Sequence, residues 1–421
     1  MMNVTRLKSN IIAGLYGNAL EWYDFLLYAS FSPLFAKLFF PTHSYFISMV
    51  STFGVFALGF LIRPLGGIVL GHYGDKLGRR KTLIFSVSIM TLATLLISLL
   101  PSYDHIGIAA PILFTVLRLL QGFAVGGELP NSATFLIESI MAKHKGLAGS
   151  LTGSTAFLGI LVGTGVATLI TNFSSAETLI WSWRLAYLLG GILGVLGIYL
   201  RIRSFESEQY LQNKAPCTHL PCGEIFTHYK LPLLFSILLT SVLAAGNYTL
   251  IAYTTVFLTK SSGFILSDAL KINFIGLFVL TLLIPIMGLL SDRIGYQKVF
   301  NIGLLAIILF IFPAFMLLKQ HDFMHALYGE LLLSVILAPV NATISAIVTS
   351  IYPVAIRASG MSIGYNIGQA LFGGTAPLIA LTLVEYTGNL LSPAWYIFGW
   401  TVIVLVVINL LRNKIIPASQ T

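Results

Sequence analysis

Apolar runs of about 20 residues, separated by short polar breaks, follow one another from end to end of this chain, and each is long enough to cross ~30 Å of hydrocarbon as an α-helix. Twelve such runs can be counted. With 57% hydrophobic and only 9% charged residues, the chain falls far below the roughly one-quarter charged fraction usual in soluble domains. A soluble globular fold is therefore excluded, and the expected class is an all-α membrane protein. The opening MMNVTRLKSN is basic, but the run behind it is too long for a signal peptide, carries acids and lacks a small-residue cleavage site. The first span is expected to stay.

A net charge of +9 would point to nucleic acid in a soluble protein; here its distribution reports topology instead. Of the 24 Lys and Arg, Lys37, Arg184, Lys260, Lys271 and Lys319 fall at alternate turns, Arg63 and Arg118 lie within spans, and the remaining 17 gather at the other turns and both tails. That asymmetry satisfies the positive-inside rule with both termini cytoplasmic. Nucleic acid is not an expected partner. Cys217 and Cys222 fall in a long inner loop, where a reducing cytosol disfavours a disulfide. With His219 between them they would supply only part of a zinc ligand set, so no metal site is expected.

Spans 1 to 6 are placed at about 11–39, 46–70, 82–100, 108–129, 147–171 and 183–200. Residues 201–230 are charged, contain Pro216 and Pro221, and make the one long internal linker. The expected domains are thus a six-helix half at 1–200, a cytoplasmic linker at 201–230 and a second six-helix half at 231–421. The halves repeat. GLLSDRIGYQK at 288–298 aligns with GHYGDKLGRRK at 71–81, matching Gly71 to Gly288, Asp75 to Asp292, Lys76 to Arg293, Gly78 to Gly295 and Lys81 to Lys298. IRASGMSIGYNIG at 356–368 aligns at nearly the same offset with KHKGLAGSLTGS at 143–154. Two parallel six-helix halves with a site at the midplane form a recurring plan of secondary transporters.

Function is expected where charge is buried in oil. Span 1 carries GNALEWYDFLLY at 17–28, which puts Glu21 and Asp24 three residues apart on one helix face. An acid at the bilayer centre costs at least about 2.5 kcal/mol, so it must face a partner or a water-filled cavity. In span 4, Arg118 lies at similar depth and needs an anion, which a carboxylate suits. Glu21, Asp24 and Arg118 are the expected proton-coupling groups, one acid taking the proton while Arg118 pairs alternately with it and with substrate. A static ion pair joining two helices is the alternative. Glu128, at the inner end of span 4, is read either as a proton relay or as a partner of inner-loop bases. Arg63, before Pro64 near the inner end of span 2, is read as an anchoring or gating residue whose stem can snorkel. His321 and His325 are spaced as one helix face but lie at an outer turn and are read as solvated.

GHYGDKLGRRK resembles the signature between spans 2 and 3 of the major facilitator superfamily. Its glycines permit a tight turn and close helix approach, while Asp75 can accept from basic groups or cap a helix start. Gly71, Asp75, Gly78, Arg79 and Arg80, with Asp292 and Arg293 of the second copy and Arg357 after span 10, are therefore the expected gating residues. Arg79, Arg80 and Lys81 also serve a simpler positive-inside anchor. Arg118, Gln121 and Gly122 resemble the RxxQG signature of the same superfamily, whose Arg takes part in proton coupling. Span 5 is rich in glycine but lacks the Gly-Pro pair of the antiporter signature, which favours symport.

Taken together, GNALEWYDF, RPLGGIVLGHYGDKLGRRKTL, RLLQGFAVGGE, WSWRLAYLLGG and IRASGMSIGYNIGQALFGGTAPLIA resemble the metabolite:proton symporter family, which includes proline/betaine, oxoglutarate, citrate and shikimate carriers. The resemblance runs over about residues 10–400. It implies the twelve-helix major facilitator fold, alternating access and proton-driven uptake of a small organic acid or zwitterion; no cofactor besides the proton, a bacterial inner membrane and a functional monomer are expected. The tail after Arg412 is very short, so the coiled-coil extension of some osmosensing proline/betaine carriers, and osmotic regulation by that route, are not expected.

Arg118 is the one Arg or Lys read near mid-span, and a single cation with two acids suits a zwitterion such as proline or betaine. A dicarboxylate or oxo-acid carrier is the runner-up. Candidate substrate contacts are Asp24, Tyr28, Arg118 and Gln121 from the first half and Asn247, Tyr248, Tyr365, Asn366 and Gln369 from the second, with Tyr253 nearby; hydrogen bonds between neighbouring helices are the alternative for the latter. A membrane enzyme would need a nucleophile with its base or clustered His and acids, and none of the eight His lies deep in a span. A receptor would normally append a soluble signalling domain, for which no stretch is long or polar enough.

Overall fold

A computed structural model of the chain describes residues 4–139, 144–206, 208–212 and 221–415. Cys217 and His219 lie outside the described residues, as does the middle of the linker. The chain runs through α1 (Val4–Phe39), α2 (Tyr45–Leu61), α3 (Arg63–Leu77), α4 (Arg79–Leu99), α5 (Tyr103–Ile106), α6 (Ala109–Ser139), α7 (Lys145–Phe173), α8 (Ala176–Ile202), α9 (Glu208–Gln212) and α10 (Pro221–His228). It continues through α11 (Lys230–Tyr248), α12 (Thr254–Lys260), α13 (Leu266–Ile294), α14 (Tyr296–Leu318), α15 (Phe323–Ser350), α16 (Arg357–Gly368), α17 (Ala376–Thr387) and α18 (Ser392–Ile415). Among the described residues, 11 stretches are long and apolar enough to cross a membrane. The twelfth long helix is α1, whose 36 residues suffice for a span but include Glu21 and Asp24.

The expected inner loop at 71–81 is helix almost throughout. α3 continues to Leu77 and α4 begins at Arg79, so Gly78 alone makes the turn, at φ 109°. Its counterpart Gly295 turns α13 into α14 at φ 100°. A side chain other than glycine pays for that left-handed backbone, which explains the matched glycines of the two copies. Span 2 breaks at Ile62, between α2 and α3, where Pro64 sits in the first turn of α3 and its ring is tolerated.

The described chain divides into two compact units, the first comprising Met1–Ser139 and Leu158–Cys217, the second Ile140–Phe157 and Thr218–Thr421. The first part of α7 therefore groups with the later helices. In unit 1, α3 and α6 meet backbone to backbone: a Cβ on Gly66 would lie 2.0 Å from the Phe123 carbonyl oxygen, and one on Gly126 would lie 2.1 Å from that of Arg63. This contact carries Arg63 against α6. One end of the unit is filled by aromatics, with Phe39 stacked on Phe114 at 4.5 Å and Tyr28 stacked on Phe114 at 5.6 Å.

Unit 2 packs α15 against α13 and α14, and α11 against α16 and α18. Two of its spans contain π-helical turns, Thr249–Tyr253 between α11 and α12 and Gln369–Gly373 after α16. Asp292 accepts from the backbone amides of Gly146 at 2.6 Å and Leu147 at 2.9 Å, capping the start of α7.

Candidate functional site

Glu21 and Asp24 of α1 are both buried, and both line a single cleft in unit 1. The i, i+3 spacing turns them to the same side, as expected. Arg118 and Gln121 of α6 and Arg63 of α3 line the same cleft, together with Phe25, Phe56 and Phe60.

The acid and the guanidinium do not touch directly. Arg118 donates from Nη1 to Gln121 Oε1 at 2.6 Å, while Gln121 Nε2 donates to Asp24 Oδ2 at 3.2 Å and to Thr94 Oγ1 at 2.9 Å. The Thr94 hydroxyl also donates to Asp24 Oδ2. Asp24 Oδ1, Glu21 Oε2 and Arg118 Nε have no hydrogen-bond partner. Among the described residues, no ion pair joins Glu21 or Asp24 to Arg63 or Arg118. Arg118 instead lies over the Tyr28 ring, 4.2 Å from its centroid. The expected direct pairing is thus replaced by a neutral amide spacer, because Gln121 is one helical turn beyond Arg118 and sits between it and α1.

Arg63 corrects the reading that only one cation stands near the acids. It is buried in the cleft rather than snorkelling outward, with its guanidinium over Phe60 at 4.2 Å and Phe25 at 5.3 Å, and its Nε without a partner. Two aromatic faces are worth about 2 kcal/mol each when desolvated. The cost of burying an ion remains several kcal/mol. Arg63 is therefore a buried cation that forms no ion pair among the described residues. The helix that carries it continues to Leu77, beyond the span end expected at residue 70.

Glu128 has a committed partner. Arg201, at the end of α8, donates from Nη1 to Glu128 Oε2 at 2.8 Å and from Nη2 to Oε1, and its remaining donors reach the carbonyls of Ala13 and Leu83. This fork holds α1, α4, α6 and α8 together at one end of unit 1, and it pairs Glu128 with a base from the last turn of α8. Arg201, assigned to the linker from sequence, is fully buried; its signal was only a charge ending an apolar run.

Among the gating candidates, Asp75 and Arg79 form a buried pair at 3.0 Å, and Arg79 also meets Glu138 of α6 at 3.2 Å and donates to the Gly74 carbonyl at 2.7 Å. The backbone amides of Arg79 and Arg80 both donate to Glu206, so a carboxylate from after α8 caps α4. Gly71 is buried in α3 and Gly78 makes the turn described above. In unit 2, Asp292 caps α7, Arg293 is exposed, and Arg357 donates from Nε to the Tyr352 carbonyl at 3.3 Å. Glu138 and Glu206 were missed because their roles depend on which helix end they meet.

The second-half candidates are buried polar groups within unit 2. Asn247 and Asn341 exchange amide hydrogen bonds at 2.9 and 2.8 Å, joining α11 to α15. Asn366 donates to the Ser362 carbonyl of its own helix at 2.8 Å. Gln369, in the second π-turn, has an Oε1 without a partner, and Tyr248, Tyr253 and Tyr365 are buried. Asn341 and Thr94 were not singled out, although each is a polar residue deep in an apolar run.

The profile described as Major Facilitator Superfamily matches residues 17–377 of this chain. The glycine betaine/proline/ectoine/pipecolic acid transporter OusA of Dickeya dadantii (strain 3937) is 34% identical over 420 residues, covering 97% of this chain and 83% of that protein. The proline/betaine transporter of Escherichia coli (strain K12) is 33% identical over 413 residues, covering 95% and 82%. Among solved structures, the proton:xylose symporter XylE bound to 6-bromo-6-deoxy-D-glucose superposes with a TM-score of 0.82 at 17% identity, covering 99% of this chain and 97% of that one. That likeness extends the twelve-helix fold over the whole chain.

Proposed function

The chain belongs to the Major Facilitator Superfamily, and on that premise we propose that it is a secondary transporter that uses an inward proton gradient to take up a small zwitterion of the proline or betaine type. The observation that carries this reading is the cleft in which Glu21 and Asp24 face Arg63 and Arg118 without forming an ion pair with either. A solute with a carboxylate and a cationic nitrogen complements such a site: its carboxylate meets a guanidinium, and its cation meets an aromatic face or an acid. The names of the Dickeya dadantii and Escherichia coli relatives cover compounds of that chemistry.

Proton coupling follows from the half-satisfied acids. Asp24 or Glu21 takes the proton, the neutralised acid releases its claim on Gln121 and the cations, and the substrate carboxylate takes their place. Tyr28 and Gln121 position Arg118. The coupling ion is the proton and no further cofactor is needed. Asn247, Tyr248, Tyr365, Asn366 and Gln369 supply the contacts of the second unit, while the Gly78 and Gly295 turns with Asp75, Arg79, Asp292 and Arg357 serve the gate. The protein works as a monomer in a bacterial inner membrane with both termini in the cytoplasm, the side where its Lys and Arg gather.

Arg63 favours a second reading, since two unneutralised guanidiniums in one cleft also suit an oxo-acid or dicarboxylate. Proteoliposomes with an imposed pH gradient separate the two. Accumulation of labelled proline or glycine betaine, abolished by a protonophore, supports the zwitterion; accumulation of oxoglutarate alone replaces it, and no gradient-dependent uptake of either overturns proton symport.

A further inference from the structure

We propose that Glu330 of α15 is a second proton-binding carboxyl of this protein, set among neutral hydrogen-bonding groups in unit 2 and separate from the acids of α1. The proposal rests on the transport reading above but concerns a group to which that reading gives no role. Glu330 lies seven residues from Phe323, the start of α15, or ~10 Å along the helix. It is fully buried. A Cβ at Gly276 of α13 would stand 2.5 Å from Glu330 Cγ, so that glycine makes the room the acid occupies.

Among the described residues, no cation forms an ion pair with this carboxyl. Its Oε1 contacts Asn273 Nδ2 at 2.8 Å and Thr254 Oγ1 at 3.2 Å, and its Oε2 is buried without any partner. Several ionisable groups on the packed elements are engaged or distant, while Lys260 ends α12 and Lys319 caps α14 nearer to it. Lys271 of α13 pairs with Asp268 at 2.9 Å, and His325 of α15 pairs with Asp322 at 2.7 Å. Asp292 and Arg293 end α13 on the far side of its length, as Lys298 begins α14 there, and Lys230 of α11 and Arg357 of α16 are ~30 Å away along their helices. Tyr253 and Tyr328 are the nearest phenols by position, and among the described residues the side chains that hydrogen-bond Glu330 are Asn273 and Thr254.

Counting protons makes the case. The Thr254 hydroxyl has one proton, and two acceptors stand within reach of it: Glu330 Oε1 and, at 2.7 Å, the Leu250 carbonyl. Asn273 Nδ2 has two protons for Leu250 O at 2.6 Å, Thr254 Oγ1 at 3.0 Å and Glu330 Oε1. One more proton raises the supply to four for these five contacts: protonated at Oε1, Glu330 donates to Thr254 Oγ1, which then donates to Leu250 O. On losing that proton, the carboxylate draws the Thr254 hydroxyl back and leaves Leu250 O to Asn273. Leu250 belongs to the π-helical turn Thr249–Tyr253, a kind of distortion frequent at functional sites. Binding and release of one proton thus exchange a hydrogen bond on that turn, and the charge of a group that lipid would not tolerate ionised appears only in one state.

Infrared titration of the purified, reconstituted protein tests this, reading the C=O band of protonated carboxyls against pH. A pH-dependent component that persists in Asp24→Asn and Glu21→Gln, disappears in Glu330→Gln and changes its midpoint in Thr254→Val is expected. An identical titration in Glu330→Gln, an unmoved midpoint in Thr254→Val, or loss of the band on adding sodium at constant pH overturns the proposal. In transport, Glu330→Gln should lower gradient-driven accumulation at least tenfold and leave solute exchange at zero gradient within twofold; unchanged accumulation overturns it. Solute exchange by the wild-type protein separately tests the transport reading, so the two can fail independently.

Discussion

The Gln121 side chain presents its amide nitrogen to Asp24 at 3.2 Å, in the position a guanidinium would take if the acid were simply neutralised. Its oxygen meanwhile holds Arg118. Charge pairs buried in low dielectric are hard to separate, because each ion left alone costs several kcal/mol. A neutral amide between them keeps both polarised and neither saturated, which suits a site that must exchange partners in each cycle.

Removing the spacer should therefore harm transport more than folding. In Gln121→Ala the guanidinium of Arg118 can close on Asp24 as a direct pair. We expect uptake to fall at least tenfold while the thermal midpoint in detergent changes little, as measured by initial rates in proteoliposomes and by a melting assay. Normal uptake in this variant would remove any special role for Gln121.

Asp24→Asn and Glu21→Gln each remove an ionisable carboxyl without much change of volume. At least one should lose uphill accumulation driven by an imposed pH gradient yet retain exchange of labelled for unlabelled solute. Full accumulation in both, at normal protein levels, would reduce the acids to structural groups.

The Glu128 and Arg201 fork is a different kind of pair, bidentate and further tied to two backbone carbonyls. Leaving one buried partner without the other typically costs about 3–5 kcal/mol. Glu128→Gln should lower the melting temperature sharply, and Glu128→Leu combined with Arg201→Met should recover much of it. If Glu128→Gln melted like the wild type and lost only coupling, the relay reading of Glu128 would stand instead.

Asp292 caps α7 through the Gly146 and Leu147 amides. A lost cap costs about 0.5–2 kcal/mol, confined to the first turn. Asp292→Ala should speed hydrogen exchange at the start of α7 with little change in the middle of α13. Equal protection in both proteins would contradict the cap.

The two turn glycines allow a paired comparison. Alanine in the left-handed backbone of Gly295 meets no atom within 4 Å, whereas at Gly78 it also collides with Glu206 Oε2 at 2.3 Å. Gly295→Ala should cost about 1–3 kcal/mol from backbone strain alone. Gly78→Ala should cost more, since it displaces the carboxylate that caps α4. Equal losses in the two melting curves would mean that Glu206 gives way freely.

Hydropathy and charge made the membrane class and the long helices readable from the residues alone, because lipid rewards an unbroken apolar run and penalises every exception to it. The same penalty marked Glu21, Asp24 and Arg118 before any fold was known, and the left-handed turns at Gly78 and Gly295 were foreshadowed by their matched glycines. Partnerships were not readable in this way. That Arg63 enters the cleft, that Arg201 returns from the end of α8 to Glu128, that Gln121 separates Arg118 from Asp24, and that Glu330 is buried beside Asn273 all depend on helix phase and on which helices pack together. Those are properties of side chains that converge from distant parts of the chain, and residue spacing within one span carries no record of them.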